Sequence, residues 1–288
     1  MTLVLLLALG CDPDPVYKLA EDDDIDEEDD GQDSGVPDSG GDDDGPTGEA
    51  SGARECMDGV CTVSAGPFWR GDDDINNARP AGWVDLSAYA IGDTEVTQSD
   101  WAACVDAGAC DALPAHCTPD GLHDDRPAVC VTWDQAGAYC GFVGGRLPTE
   151  AEWEKAARGE QGATWAWGND APVCTTANFR YASWYCHEGP VDVGSYADQR
   201  SPFGLWDTVG NVWEWTADGY EAAAYVPDAV DPLEDDCPTD ADDAGCARRV
   251  LRGGAYNTTE STTKAAARSA AEPGVVDVNI GVRCAWDL

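Results

Sequence analysis

The sequence predicts an α+β domain that is rich in loops and held together by disulfide bonds. Short runs that alternate apolar and polar residues predict strands, and three segments led by a threonine predict helices. The 13 cysteines in a chain of 288 residues predict the disulfides. A hydrophobic content of 43% is enough for one good-sized core or two small ones.

The chain starts with MTLVLLLALGC, an apolar run that ends in small residues and Cys11. It is too short to span a bilayer, and it resembles a bacterial lipoprotein signal whose cysteine is lipidated after cleavage. Ala8 stands where a leucine is usual, and no Lys or Arg precedes the run, which leaves room for a start further upstream. The alternative is an unusual N-terminus with a free thiol. We expect residues 1–11 to be this signal, and the chain to be an exported, membrane-anchored lipoprotein of the bacterial cell envelope, in the periplasm or at the cell surface.

Residues 12–55 are expected to form a disordered acidic tether. The stretch 21–50 has no Lys or Arg and almost no large apolar side chain, so it cannot bury enough surface to offset the entropy of ordering. It lacks the D-x-D-x-D-G spacing of a calcium loop, which favours a solvated spacer over a calcium-binding segment. The net charge of −40 makes nucleic acid and anionic membrane surfaces poor partners.

The folded part begins with predicted strands and continues with predicted helices. The segments 67–74 (PFWRGDDD) and 82–97 (GWVDLSAYAIGDTEVT) alternate as short strands do. Each helix should start at a threonine whose hydroxyl caps it, three residues before an acceptor side chain. The pairs are Thr97 with Asp100, Thr132 with Gln135, and Thr149 with Glu152. The helices are expected at about 98–107, 133–142 and 150–158, with Gly108 and Gly159 as stops. Beyond residue 160 no helical period is visible, so long loops are expected.

The cysteines favour disulfides over zinc. Setting Cys11 aside leaves an even number, which in an exported chain indicates a disulfide framework. No C-x-x-C pair is present and there are only 3 histidines, which disfavours a zinc site. Two pairs are spaced to close local loops, Cys174 with Cys186 and Cys237 with Cys246.

Three segments carry a family resemblance. They are GGRLPTEAEWEKAARG (144–159), SPFGLWDTVGNVWEWTAD (201–218), and RRVLRGGAYN (248–257) followed by AAARSA and NIGVRCAW. In this order and spacing they resemble the formylglycine-generating enzyme family, also called the sulfatase-modifying factor domain, over about residues 63–288. We assign the domain to residues 56–288. The resemblance implies that family's variant of the C-type lectin fold, with mixed α and β structure and many ordered loops.

The family's enzymes oxidise a sulfatase cysteine to formylglycine with oxygen and copper(I), which two cysteines hold after an R-G-G-S-W motif. Arg252, Gly253 and Gly254 match that motif, and Ala255 and Tyr256 replace its serine and tryptophan. The two ligand positions fall on Thr258 and Thr263. Copper(I) is a soft ion that prefers thiolates, and a threonine hydroxyl stays protonated. The resemblance therefore implies a degenerate site at Ala255, Thr258 and Thr263, with no catalytic residue and no copper.

The family also binds calcium, and two sets of residues match its sites. The first set is Asp207, Gly210, Val212 and Glu214, which supplies two carboxylates and two carbonyls. The alternative is that Glu214 caps loop amides. The second set begins with Asn178 and the carbonyl of Phe179, but its later carboxylate falls near Ser183. Calcium is the one cofactor we expect.

The resemblance assigns further structural residues. Cys284 corresponds to a family half-cystine whose partner position is Cys140, so we expect a Cys140–Cys284 disulfide. Cys56 and Cys61 should close a local loop. The remaining cysteines, Cys104, Cys110, Cys117 and Cys130, can pair among themselves in three ways. The arginines of the matched motifs, Arg146, Arg252 and Arg283, are expected in buried ion pairs or on loop carbonyls. The histidines match no family site.

The sequence favours a non-catalytic recognition module over an enzyme. A lectin-like framework can hold variable loops that bind an envelope protein, a peptide or a glycan. The alternative is an active formylglycine-generating oxidase, which the whole-domain resemblance supports. A third hypothesis, an oxidoreductase with histidine-bound iron, needs a helical partner domain with clustered histidines.

Overall fold

The structure is a computed structural model that describes residues 56–118, 120–222, 225–232 and 247–288. The expected signal with Cys11, the expected tether and the Cys237–Cys246 pair lie outside the described residues. Within the described part of the chain, no helix has the length and apolar character needed to cross a membrane.

Three α-helices follow the first strands, as predicted. They are α1 (Gln98–Asp106), α2 (Trp133–Phe142) and α3 (Glu150–Arg158). Each has a complete capping box, in which the threonine side chain accepts from the third backbone N–H and that residue's side chain accepts from the threonine N–H. Gly159 at the end of α3 has φ of 78°, and Gly108 just after α1 has φ of 74°. No described residue beyond Arg158 is in an α-helix.

Short strands, with 3₁₀-helices at Ala115–Cys117 and Glu260–Thr263, make up the rest of the regular structure of the described residues. The strands are β1 (Cys56–Met57), β2 (Val60–Val63), β3 (Gly66–Arg70), β4 (Gly82–Leu86), β5 (Tyr89–Gly92), β6 (Arg180–Tyr181), β7 (Trp184–Tyr185), β8 (Trp213–Gly219), β9 (Arg249–Arg252), β10 (Ser269–Ala271), β11 (Ile280–Val282) and β12 (Ala285–Asp287). The predicted strand at 67–74 ends at Arg70, because Gly71 has φ of 85° and the three aspartates after it enter a loop.

The strands form two four-stranded sheets and two hairpins. One sheet has the order β1-β2-β5-β12 and the other β10-β9-β8-β11. The only parallel pair among them is β8 with β11, in which Glu214 lies opposite Gly281. The hairpins are β3-β4 and β6-β7. The last strand, β12, pairs with β5 from the start of the domain, so the two ends of the domain meet in one sheet.

Helix α3 lies at the centre of the domain, and all nine of its residues are buried. It contacts β3, β8 and β9, and Ala151 and Ala156 join the core that contains Phe68, Ile91 and Leu205. Because five of its residues are charged, α3 brings ionised groups into the interior. Charged groups in such a position must be paired, and the site described below shows how they are.

Five disulfides hold the loops. Cys140–Cys284, Cys174–Cys186 and Cys56–Cys61 join cysteines that the sequence analysis paired. Of the three arrangements left open for the other four, the structure has Cys104–Cys110 and Cys117–Cys130. All ten cysteines in the described residues are therefore oxidised.

Candidate functional site

The loop after β9, residues 253–266, contains the positions that match the family's copper site, and we call it the copper-site loop. Arg252 has no exposed surface and anchors both ends of this loop. Its guanidinium pairs with Glu150 at 2.9 Å and Glu154 at 2.8 Å, and it donates to the carbonyl oxygens of Ala265 and Ala266. Arg252 is thus a structural cation that closes the loop, in agreement with the sequence analysis.

Two glycines let the loop fold back on itself. Gly253 and Gly254 have φ of 95° and 76°, a backbone region that side chains rarely adopt. A Cβ on Gly254 would lie 2.8 Å from Cγ2 of Thr263, so the later part of the loop packs directly against this glycine. Residues at the start and end of the loop are in this way brought together.

Thr258 is bonded within the loop. Its hydroxyl donates to the carbonyl oxygen of Ala255 at 3.0 Å and accepts from the N–H of Ala255 at 2.9 Å. Ala255 itself is fully buried. The side chain therefore closes a local turn, which is a common role for threonine.

Thr263 is fully buried and also bonded. Its hydroxyl donates to the carbonyl oxygen of Glu260 at 2.8 Å, and the indole N–H of Trp165 lies 3.4 Å away. Both hydroxyls thus act as protonated donors to backbone carbonyls. A hydroxyl in that state is a hard, neutral ligand, and no described cysteine is a free thiol, so these residues do not fit copper(I).

A second group of interest is the buried carboxylate of Glu214 on β8. It accepts two bonds from Arg283, at 2.9 and 2.8 Å, and one from the indole N–H of Trp153 at 2.7 Å. Both Glu214 and Arg283 have no exposed surface. Arg283 also donates to the carbonyl oxygens of Gly92 and Trp206. The expected pairing of Arg283 is present. The donors to Glu214 among the described residues are side chains, so the alternative in which Glu214 caps loop amides is not observed.

Asp207 lies near Glu214 with its carboxylate held by the loop. Its Oδ2 accepts from the N–H of Gly194 at 2.6 Å, and the residue has φ of 59°. Burial raises the pKa of Asp207 to about 6, and the charge of Glu214 adds to that effect, while the Gly194 bond and Arg283 oppose it.

Glu95, which the sequence analysis missed, completes this group. It is buried just before α1, and its Oε1 accepts from Asn211 at 3.1 Å. Its Oε2 accepts from no donor group among the described residues, but the Glu95 carboxyl is in hydrogen-bonding contact with the carboxyl of Asp207, which opposes the raised pKa of Asp207. Burial raises the pKa of Glu95 well above its ordinary value, and the charges of Asp207 and Glu214 raise it further. The available signal was an acid inside the predicted strand segment GWVDLSAYAIGDTEVT, where half-buried apolar residues prevail.

The matched carbonyls lie in the turn before β8. The N–H of Gly210 donates to Gly253, which links this turn to the copper-site loop, and Val212 is fully buried. A buried carboxylate oxygen without a donor, with backbone carbonyls nearby, offers hard oxygen ligands of the type that calcium prefers. The ligand oxygens of Glu95, Asp207 and Glu214 do not all lie within 4.8 Å of one another, so the donor types fit calcium but the three carboxylates do not converge on one point.

The second predicted set is built differently. Oδ1 of Asn178 is buried with no partner in the described residues, which suits a cation ligand. The carbonyl of Phe179, however, accepts from the N–H of Cys186 at 2.9 Å, and Ser183 is exposed in the β6-β7 turn. The structure does not bring a carboxylate to the position of Ser183.

A cavity of about 570 Å³ opens between the β6-β7 hairpin and the copper-site loop. Arg180 and Tyr181 line one side, and Thr259, Glu260, Ser261 and Lys264 line the other. The aromatic side chains of Tyr181, Trp184 and Tyr185 are exposed on the hairpin.

The three histidines form no site with one another. Among the described residues, the one cluster with metal-ligand geometry is His116 with Cys117 and Cys130. Because those two cysteines form a disulfide, only His116 retains a free ligand atom.

Comparison with known proteins places the chain in a family. The family model described as the sulfatase-modifying factor enzyme 1-like domain matches residues 47–288. The formylglycine-generating enzyme of Streptomyces coelicolor is 34% identical, with 83% of this chain and 85% of that protein covered. Hercynine oxygenase of Mycolicibacterium smegmatis is 29% identical, with 78% of this chain and 60% of that protein covered. The chain thus spans less than two thirds of that relative.

Solved structures agree on the fold. Treponema denticola variable protein 1 superposes with a TM-score of 0.63 at 24% identity, covering 79% of this chain and 94% of that one. PvdO from Pseudomonas aeruginosa gives 0.64 at 23% identity, covering 80% and 94%. At these identities the likeness concerns the fold alone. The chain belongs to the sulfatase-modifying factor family, and its fold is the formylglycine-generating-enzyme variant of the C-type lectin fold.

Proposed function

We propose that this chain is a non-catalytic recognition module of the sulfatase-modifying factor family. The observation that carries the proposal is the state of Thr258 and Thr263. Both hydroxyls donate to backbone carbonyls of their own loop, so they stabilise the loop instead of holding a metal. The framework that presents the loop is complete, because Arg252 and its glutamate partners close it.

A second candidate function is oxidation of a sulfatase cysteine to formylglycine. The identity of 34% to the enzyme of Streptomyces coelicolor supports it. The residues at the ligand positions argue against it, since thiolates are what copper(I) chemistry requires.

Calcium binding is part of the proposal. Asp207 and Glu214, with the carbonyl oxygens of Gly210 and Val212, would hold the ion, and Glu95 adds a third buried carboxylate. Calcium would supply positive charge that offsets the repulsion among these acids. Its role would be structural, because the turn before β8 is bonded to the copper-site loop through Gly253.

The proposed function also includes a lipid anchor that holds the domain outside the membrane. A lipid on Cys11 would anchor the chain in the bacterial envelope, and the acidic residues that follow would hold the domain away from the membrane surface. Envelope proteins, peptides and glycans are the ligand classes that such a module could meet.

The test is a peptide conversion assay with the full, oxidatively folded chain. The chain is incubated with copper(I), oxygen and a peptide that carries the sulfatase motif C-x-P-x-R, and the peptide mass is read. We expect the cysteine to remain unchanged, while an active formylglycine-generating enzyme converts it in parallel. Conversion by this chain would refute the proposal and would mean that another group performs the oxidation.

A further inference from the structure

The cavity beside the copper-site loop holds two cations that no carboxylate neutralises. Arg180 and Lys264 form no ion pair with any described residue, and Nε of Arg180 is buried without a hydrogen-bond partner. The buried cations Arg252 and Arg283, by contrast, each form an ion pair with a buried glutamate. In a chain with a net charge of −40, two unpaired cations at one cavity mark a place where an anion is favoured.

The chemistry of the cation favours a carboxylate. The guanidinium of arginine presents a planar fork of donors that matches the two oxygens of a carboxylate. Glu260 also lines the cavity, but its carboxylate is too far from Arg180 and Lys264 to form an ion pair with either. The two cations therefore remain available to a ligand.

The hairpin adds an apolar surface next to these cations. Tyr181 lines the cavity, and its ring lies 6.3 Å from that of Trp184, which is 65% exposed. Exposed tryptophan and tyrosine side chains that lie next to each other in this way are typical of contact surfaces. The flat C–H face of a sugar ring can pack on the exposed parts of such rings, although Tyr181 also contacts the ring of Phe179 at 5.9 Å.

Hydroxyl groups form the opposite wall. The side-chain oxygens of Thr259 and Ser261 lie 3.0 Å apart, and each can exchange hydrogen bonds with a sugar hydroxyl. A peptide that added as a strand would need an open backbone edge at the cavity. The N–H of Arg180 already donates to the carbonyl oxygen of Thr258, so β6 is closed on that side.

We propose that this cavity binds a carboxylate-bearing sugar of a glycan, with Arg180 and Lys264 on the carboxylate and the Tyr181–Trp184 surface on the ring. The volume of about 570 Å³ is in the range of small-molecule sites. The inference rests on the proposed function, because it names the ligand class of a module that does not catalyse.

The experiment is calorimetric titration of the full chain, carrying Cys11→Ser to keep it in solution, with trigalacturonate and with its methyl ester. We expect saturable binding of trigalacturonate and at least about tenfold weaker binding of the ester, since a charge-assisted hydrogen bond contributes at least that factor. Arg180→Gln and Trp184→Ala should each weaken binding about tenfold. Arg79→Gln and Phe142→Ala are matched controls, an exposed arginine and an exposed aromatic outside the cavity, and should bind normally.

Three results would overturn the inference: no binding of trigalacturonate, equal binding of the methyl ester, or unchanged affinity in Arg180→Gln. Saturable binding of an acidic peptide together with no binding of the sugar would overturn the inference and assign the cavity to peptides instead. Thermal unfolding of each variant shows that it is folded. The peptide conversion assay, run on the same preparation, keeps the two proposals apart, because conversion refutes the proposed function whatever the sugar does.

Discussion

At the residue scale, the two threonines of the copper-site loop show how its shape can be held by hydrogen bonds. Each hydroxyl replaces a thiolate position with a neutral group that bonds to a nearby carbonyl. A buried hydroxyl without a partner would be costly, and here both are satisfied. The loop shape is therefore maintained by hydrogen bonds and by Arg252, and it does not depend on copper.

Restoring the thiols should restore metal binding. The double variant Thr258→Cys with Thr263→Cys is expected to bind about one copper(I) per chain, because the glycines bring the two ends of the loop together. The native chain and a Thr258→Ser, Thr263→Ser control should bind none in competition with a chromophoric copper(I) chelator. A double-cysteine variant that binds no copper would show that this loop has also lost the ligand geometry.

The calcium site proposed at Asp207, Glu214 and Glu95 predicts that calcium stabilises the folded chain. We expect calcium to raise the Tm of the native chain relative to the chelator EGTA, and binding at 100 times Kd stabilises by about 2.7 kcal/mol. Glu95→Gln should be at least as stable as the native chain in EGTA, because it removes the charge of a buried carboxylate whose Oε2 accepts from no donor. It should gain less from calcium. Magnesium serves as the control ion, and an identical Tm with calcium and EGTA would contradict the site.

At the element scale, α3 is the central support of the candidate site. Glu150 and Glu154 project from it to Arg252 on β9, and Arg268 pairs with Glu150 at 2.6 Å. Trp153, between them, donates to Glu214 on β8. One buried helix thus holds the copper-site loop through Arg252 and also contacts Glu214, which belongs to the group of buried acids with Glu95 and Asp207.

This arrangement predicts an acid-sensitive contribution from Glu150. Burial by itself would raise its pKa, but Arg268, Arg252 and Arg70 more than compensate and lower the pKa to about 2. Because the folded pKa lies below the unfolded value, the stabilisation is present above the unfolded pKa and is lost as pH falls from about 4 toward 2.

The matching variant is Glu150→Gln, which leaves buried arginines without their anion. At about pH 7 it should reduce the free energy of unfolding by about 3–5 kcal/mol, and the difference should narrow below about pH 4. Denaturant unfolding at both pH values measures it, with the exposed Glu188→Gln as control. A loss that does not change with pH would contradict the assigned pKa.

The disulfides should contribute unequally. Cys140–Cys284 spans a sequence separation of 144 residues, and Cys56–Cys61 spans 5. In the loop-entropy description, replacing the first pair by alanine costs about 5 kcal/mol and replacing the second about 2 kcal/mol. Denaturant unfolding of the two double variants compares them, and equal losses would show that loop entropy does not govern the difference.

At the scale of the whole molecule, net charge and the proposed lipid anchor would determine where the domain works. The net charge of −40 disfavours contact with anionic surfaces, whereas the cavity with Arg180 and Lys264 carries two cations without an ion pair among the described residues. A tether that repels itself and the membrane would keep this cavity accessible.

The anchor predicts the location of the chain. In bacteria that produce the full chain, we expect the protein in the membrane fraction and labelled by a fatty-acid analogue. Cys11→Ser should abolish the label and release the protein. The double variant of Cys56 and Cys61 is the control for general loss of cysteine. Membrane association of Cys11→Ser without label would refute the lipid anchor.

The sequence by itself determined the local structure and the family. The three capping boxes position the helices because a helix start depends on residues three apart. The long motifs specify the fold, and the missing cysteines indicate the lost copper site, since ligand identity is written in the chain. The Cys174–Cys186 disulfide was also predicted from local sequence, because the spacing of the two cysteines suits closure of a short loop.

Only the tertiary structure decided the features that depend on residues far apart. The pairing of Cys104 with Cys110 and of Cys117 with Cys130 required the path of the intervening chain. Glu95 joined Asp207 and Glu214 because β5 and β8 lead to the same interior, which no periodicity reveals. The cavity with Arg180 and Lys264 likewise arises where a hairpin meets a loop some eighty residues later. Long-range packing, not local pattern, creates such sites.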